Sequence, residues 1–310
     1  MTSADRAIAF LHINLYIVIR THTLCSARSD TILFSHAHIY SVDTMENILS
    51  HVIALAEKAG RMMADSRPVI STIKGTKENY ATEADEKIQQ FLENELLALL
   101  PGSSFMGEEQ HRYSKSNLLW IVDPIDGTVN YARGIPISVV SIALVENGKT
   151  VLGIVHNPYM KETFHAEYGE GAFLNDSQIY VSDIDWNRCI VSTAWCAYEK
   201  EMAPASFRIS ERLHSECSDI RRLGTAAYEM CLLAKGSIDV YFEMMLRPWD
   251  YAAASLIVTE AGGFCSSLHG DIDLFDECPV LAANTEENLR CLTDVVIREK
   301  GDFEPKGTIW

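Results

Sequence analysis

The sequence predicts a layered α+β fold, and three observations carry that expectation. Helical periodicity and β-rich runs are mixed along the chain. The strand-like runs are joined by a hairpin turn, which points to antiparallel pairing. No internal repeat and no Gly/Ser linker interrupts the chain, so its elements are expected to stack as layers around shared cores.

The first helix is expected over Met45–Arg67, where Ile48, Val52, Ile53, Ala56, Ala59 and Met63 recur at helical spacing and Pro68 lies just beyond. A second is expected from about Thr82 to Leu100, where Thr82-Glu83-Ala84-Asp85 resembles an acidic capping box and Pro101-Gly102 stops the helix. Strands follow at 118–122, 138–145, 151–156 and 163–166, with Asn147-Gly148 as a hairpin turn. Helical patterns return at 207–217 and 225–234, then a strand at 240–243 and a helix over 250–261 closed by Gly262-Gly263. The last helix is expected at 286–299.

With 310 residues, 47% of them hydrophobic and 22% charged, the chain can bury a substantial core. The net charge of −17 argues against nucleic acid as a partner, because binding a phosphate backbone needs clustered Lys and Arg. For an enzyme of anionic substrates, the same excess of acid is most simply reconciled by a bound divalent metal. The apolar stretch from Ile8 to Ile19 falls well short of the ~20 residues that cross a bilayer, so no membrane association is expected. Residues 1–44 read as an extension outside the core and 45–310 as the folded domain, with a possible sub-domain boundary near 183–187. The eight cysteines include no CxxC pair, and several sit in apolar runs such as Cys231, so they read as reduced core thiols of a cytoplasmic protein.

The segment Trp120–Ala132, WIVDPIDGTVNYA, carries the most chemistry. A strand leads into Asp123, Pro124 breaks its ladder, and Asp126 follows three residues on. Two carboxylates at a strand end can converge on a hard cation, which favours oxygen ligands. Gly127 and Thr128 then offer backbone N–H groups to a phosphate oxygen. An Asp-Pro turn with a capping Asp is the purely structural alternative.

The run DPIDGT resembles the signature of the inositol monophosphatase family, within the lithium-sensitive, metal-dependent sugar-phosphatase superfamily. MGEEQ at 106–110 resembles the family's upstream acidic motif. The segment from Arg221 to Ala254, continued by TEAGG at 259–263, resembles its carboxy-terminal signature. Together these span about Met45 to Glu299. The resemblance implies an αβαβα sandwich, Mg2+ as cofactor, a small phosphorylated alcohol such as inositol 1-phosphate as substrate, lithium inhibition, and a homodimer. It implies that Glu108, Asp123 and the carbonyl of Ile125 bind one Mg2+, and that Asp123, Asp126 and Asp250 bind another. Asp250 alone reads equally well as a helix N-cap. Asp126, Gly127, Thr128, Gly224, Thr225, Ala226, Glu243 and Asp250 are implied as substrate contacts, and Thr128 and Glu108 as catalytic groups. Glu109 is expected in a supporting or solvated role.

The family places an Asp shortly before the segment that aligns with Thr82 and Asp85, and Asn79 falls on that position here. An amide can accept the Thr128 hydroxyl but takes no proton near neutral pH, so slower catalysis is expected, with Glu78 as the neighbouring acid. Lys74 matches a basic residue before that motif. Phosphatases of histidinol phosphate, fructose 1,6-bisphosphate or 3′-phosphoadenosine nucleotides are the near alternatives. A low-activity regulatory homologue is the more distant one.

Overall fold

The computed structural model describes residues 42–66, 68, 70–73, 80–109, 116–195 and 199–301. The chain divides into two units, Met1–His51 and Val52–Trp310. Within the first, the described residues are the opening turns of helix α1, Val42–Asp65, which continues into the second. Residues 183–187, the possible sub-domain boundary, lie inside the second unit.

The elements run in the order β1 (Ile70–Ile73), β2 (Tyr80–Thr82), α2 (Glu83–Leu99), β3 (Ser104–Gly107), β4 (Leu118–Asp126), α3 (Thr128–Arg133), β5 (Val139–Glu146), β6 (Lys149–Asn157), β7 (Glu162–Glu167), β8 (Gly171–Leu174) and β9 (Ser177–Ile179). They continue with β10 (Ile190–Thr193), α4 (Ala203–Glu216), β11 (Asp219–Arg221), α5 (Ala226–Ala234), β12 (Val240–Leu246), α6 (Pro248–Glu260), β13 (Phe264–Ser266), β14 (Cys278–Ala283) and α7 (Glu286–Glu299). The two expected hairpin strands are β5 and β6, and Asn147 turns between them with a positive φ.

Strands β3 to β9 form a seven-stranded sheet in sequence order, parallel only between β3 and β4. A five-stranded sheet runs β11-β10-β12-β14-β13, with β10 parallel to both its neighbours. Helices α5 and α6 lie between the two sheets. The α6 helix packs on β4 to β8 and also meets β13 and β14. Its sequence explains the position: PWDYAAASLIVTE is apolar on almost every face, as a helix covered on both sides must be. The outer layers are amphipathic. Helix α2 and the Val52–Asp65 part of α1 belong to the seven-stranded side, and α4 and α7 cover the other sheet. These layers make an αβαβα sandwich.

Strand β12 shows how one sheet serves two cores. Tyr241 joins the central core with Val280 and Ala282, while Val240, Phe242 and Met244 join the outer core with Leu281 and Leu292. The alternation follows from the two-residue repeat of a strand. Six cysteines, at 189, 217, 231, 265, 278 and 291, are free thiols in the structure; Cys25 and Cys196 lie outside the described residues.

Gly153 sets the spacing between the sheet and α6. A Cβ there would lie 2.6 Å from the Ala253 carbonyl oxygen, a backbone atom that cannot swing away. Gly153→Ala is therefore expected to cost about 1–3 kcal/mol, as overpacking does. A urea midpoint unchanged from wild type would show that the layers yield at this point.

Candidate active site

The site starts from an irregularity in β4. Asp123 pairs with Ser141 and Asp126 with Val139, so the register shifts between them. In unbroken pleating, residues three apart face opposite sides of a sheet. The bulge, at a proline that cannot donate to the ladder, brings both carboxylates to one cavity. The strand thus runs on through Asp126 instead of ending at Asp123. Ile125 N–H donates to Asp123 Oδ1 at 2.9 Å and fixes that carboxyl.

Gly127 follows with φ +88°, in the left-handed region, as N-cap of α3. A Cβ there would meet the Ile137 carbonyl oxygen at 3.1 Å and that of Gly224 at 3.3 Å, so the turn needs glycine for both conformation and space. Ser138 Oγ donates to the Gly127 carbonyl, and Asn130 Nδ2 ties the turn to the Leu223 carbonyl at 2.7 Å.

The second side of the cavity comes from the opposite half of the sandwich. Thr225 caps α5, yet its hydroxyl donates to Asp126 Oδ2 at 2.7 Å, and Ala227 N–H donates to the same oxygen at 2.8 Å. Asp250 is the third residue of α6, with Arg247 as N-cap, so the alternative reading of Asp250 as the N-cap is corrected. The helix begins two residues earlier, at Pro248, and Asp250 Oδ2 accepts from Arg247 N–H at 2.8 Å. Glu243 lies on β12 and accepts from Tyr241 Oη at 2.8 Å. Glu108, Asp123, Ile125, Asp126, Gly127, Thr128, Gly224, Thr225, Ala226, Glu243 and Asp250 all line one cavity of about 140 Å³. Glu109 does not line it, and its N–H donates to Gln89 Oε1.

Electrostatically the cavity is strained by its own acids. Burial raises the Asp123 carboxyl well above the usual range, and Glu108, Asp126 and Asp250 add to the shift. Asp250 is raised well above its ordinary value by burial and then by Asp126. Burial lifts Asp126 to about 7 against the opposing hydrogen bonds from Thr225 and Ala227. It lifts Glu243 to about 8 against the bond from Tyr241. Such a set is built to meet positive charge. The donors are carboxylates and a carbonyl, all oxygens, which suits a hard divalent cation. In this arrangement no three His, Cys, Asp or Glu side chains among the described residues close on a common point. The carboxylates line the cavity without enclosing an ion position.

Asn79 lies outside the described residues. The acid that faces Thr128 is Asp85: Thr128 Oγ1 stands 3.3 Å from Asp85 Oδ1 and 3.1 Å from the Ile125 carbonyl oxygen. The expectation for Asn79 thus lies outside the described residues, and Asp85 is an acid beside Thr128 to which the sequence assigned only a capping role. Asp85 was legible as the last residue of the capping box, and its Oδ2 does accept from Thr82 N–H. A carboxylate has two oxygens, however, and Oδ1 is left to face Thr128.

Sequence reading also missed Arg222, Arg247 and Glu229 at the cavity wall. Glu229 is 1% exposed and accepts from Ser192 Oγ and from the N–H groups of Leu223, Gly224 and Thr225. It clamps the turn that carries Thr225. The signal was present as an acid inside an apolar helix, where a buried charge demands partners.

Residues 44–299 match the inositol monophosphatase family. The Nus factor SuhB of Xylella fastidiosa is 32% identical over 267 residues, covering 82% of this chain and 97% of that protein. The inositol-1-monophosphatase of Mesorhizobium japonicum is 35% identical over 244 residues, covering 76% and 91%. Among solved structures, the extragenic suppressor protein suhB from Bartonella henselae superposes with a TM-score of 0.74 at 34% identity, over 81% of this chain and 98% of that one. With the fold, the turn and the match over residues 44–299 in agreement, the chain belongs to the inositol monophosphatase family.

Proposed function

We propose that the chain hydrolyses the phosphate monoester of a small polyhydroxy alcohol in a Mg2+-dependent reaction, with inositol 1-phosphate as the leading substrate. One observation carries this reading: carboxylates from three distant segments, at Glu108, at Asp123 and Asp126, and at Asp250, line one cavity. No structural need gathers so many acids in one place, and a phosphate ester cannot approach them without intervening positive charge.

Glu108, Asp123, Asp126, Asp250 and the Ile125 carbonyl are the groups that would hold Mg2+. When bound, the cation neutralises the phosphate and makes water a better nucleophile. The protein's residues do the remainder. Gly127 and Thr128 direct backbone N–H groups at a phosphate oxygen. Thr128 Oγ1 orients the attacking water, and Asp85 Oδ1 takes the proton relayed through that hydroxyl. Asp126 and Asp250 hold the water that protonates the departing alkoxide. Glu243 binds substrate hydroxyls, while Gly224, Thr225 and Ala226 shape the wall beside the ring. The relative named Nus factor favours a second reading, in which the fold serves a regulatory role with slow chemistry.

Inorganic phosphate release separates the two. The panel holds inositol 1-phosphate, fructose 1,6-bisphosphate, histidinol phosphate and 3′-phosphoadenosine 5′-phosphate, each with and without Mg2+. The expected outcome is Mg2+-dependent release, fastest on inositol 1-phosphate among the monoesters. No release from any ester by folded, cation-binding protein would leave the regulatory reading.

A further inference from the structure

Glu229 is a buried acid of the cavity wall to which the proposed chemistry gives no task. Four donors from two segments converge on its carboxylate. Oε1 accepts from Ser192 Oγ on β10 at 2.5 Å and from Leu223 N–H at 2.8 Å. Oε2 accepts from Gly224 N–H and Thr225 N–H, both at 3.2 Å. Three consecutive amides thus wrap one carboxylate as backbone wraps a bound anion. Burying that charge costs several kcal/mol, which these bonds offset.

What the wrapped acid fixes is Thr225. With its amide held by Glu229, Thr225 turns its hydroxyl to Asp126 Oδ2 at 2.7 Å, and Ala227 N–H reaches the same oxygen at 2.8 Å. Both donors fall on Oδ2, and among the described residues no hydrogen bond reaches Asp126 Oδ1. The carboxyl is therefore fixed in rotation, with one oxygen held by the protein and the other left for a ligand. The turn itself is restrained: Asn130 Nδ2 holds the Leu223 carbonyl at 2.7 Å, and Gly224 sits at φ +84°. The path Ser192–Glu229–Thr225–Asp126 runs from β10 in the five-stranded sheet to β4 in the seven-stranded one.

We propose that Glu229 is a positioning residue for the cation site: acting through Thr225, it holds the Asp126 carboxyl in the orientation that binds Mg2+. This rests on the phosphatase reading and deepens it, since that reading gives Glu229 no contact with substrate or cation. Partners that orient a ligating carboxylate typically change metal affinity by roughly 10- to 100-fold when they are lost. A buried acid also attracts cations from a distance, and Glu229 is near enough to Asp126 to raise its carboxyl. The two effects separate at Thr225, because orientation passes through its hydroxyl and long-range attraction does not.

Calorimetric titration of Mg2+ into the substrate-free protein, at a temperature where every variant is folded, tests it. Glu229→Gln keeps the shape, loses one acceptor oxygen, and is expected to raise the Mg2+ Kd about 10-fold. Thr225→Val lacks the hydroxyl and should raise Kd by roughly 10- to 100-fold, whereas Thr225→Ser keeps it and should bind as wild type. The double variant should be no weaker than Thr225→Val alone, because both changes lie on one path. A further loss of full size in the Thr225→Val background would overturn the proposal and leave Glu229 as a general attractor of cations. A lowered Tm with an unchanged Kd would overturn it as well, leaving a clamp that serves stability alone. Should Glu229→Gln not fold, Ser192→Ala takes its place, since it removes one of the four donors and leaves the carboxylate. Its Kd should then rise about 3-fold, and only where the Thr225 hydroxyl is intact; an unchanged Kd refutes the positioning role. Wild type that binds no Mg2+ would sink the phosphatase reading itself, whereas wild-type binding with insensitive variants sinks this inference alone.

Discussion

Asp123→Asn is expected to abolish Mg2+-dependent phosphate release, by roughly 10³-fold or more, while making the cation-free protein more stable. The loss follows from the proposed function, in which Asp123 holds the cation that supplies several kcal/mol of charge stabilisation. The gain follows from burial. Asp123 is 2% exposed, and its carboxyl is pushed well above its ordinary range by desolvation and by Glu108, Asp126 and Asp250. An amide of the same shape relieves that repulsion. The expected rise in Tm in EDTA at pH 8 is about 5 °C, the equivalent of one or two kcal/mol in a protein of this size.

The sign of the pH dependence is fixed by the same groups. The folded values of Asp126, about 7, and Glu243, about 8, lie above those of the unfolded chain. Between pH ~4 and those values the folded state binds more protons, so the cation-free protein loses stability as pH rises through that window. Mg2+ would compete with the Asp126 proton for the same oxygens, so the Tm increment it gives should be larger at pH 8 than at pH 5. Thermal scans in EDTA and in Mg2+, at both pH values, read all of this. Identical Tm values for wild type and Asp123→Asn in EDTA would show that the carboxylates do not repel one another in the cation-free fold.

Asp85→Asn is expected to lower kcat by about 10²- to 10⁴-fold, the usual worth of a positioned proton acceptor. The residue does two jobs with two oxygens. Oδ2 accepts from Thr82 N–H at 2.8 Å, and Oδ1 faces Thr128 Oγ1. Thr82→Ala removes the hydroxyl that caps α2 and donates to Asp85 Oδ2, and leaves the carboxylate with its bond from Thr82 N–H and its Oδ1 facing Thr128. That variant should lose about 1 kcal/mol of stability and keep most of its kcat. Thr128→Ala should mimic Asp85→Asn, and the double variant should be little worse than either, since groups acting as one unit do not add. If Asp85→Asn lowers Tm and leaves kcat unchanged, Asp85 is a cap and nothing more.

The outer helices were legible because each has one wet face and one dry face, and the 3.6-residue repeat records the difference. Helix α6 gave its position away by lacking that contrast. The short strands β8, β9 and β13 left no trace in the sequence, because three or four residues show no alternation, and their pairing comes from neighbours. The site was legible in part for a similar reason. Asp123, Asp126, Gly127 and Thr128 are contiguous or nearly so and form a recognisable run. Asp85 carries an obvious local role that concealed a distant one, and only the fold brings it to Thr128, 43 positions away. Arg222 and Glu229 depend on contacts across layers, which linear spacing does not encode.

The latch on Asp126 has a bearing on when the site comes into being. Its carboxylate is held by the amide of Ala227, 101 positions further along the chain, and Asp250 arrives later still. Contacts of that sequence separation carry a loop-closure cost and form slowly. A nascent chain that has emerged as far as Thr128 therefore carries three of the four acids, Glu108, Asp123 and Asp126, without the Ala227 amide that holds Asp126. On the proposed function, the cation site needs both segments, so it is complete only in a chain folded through Asp250.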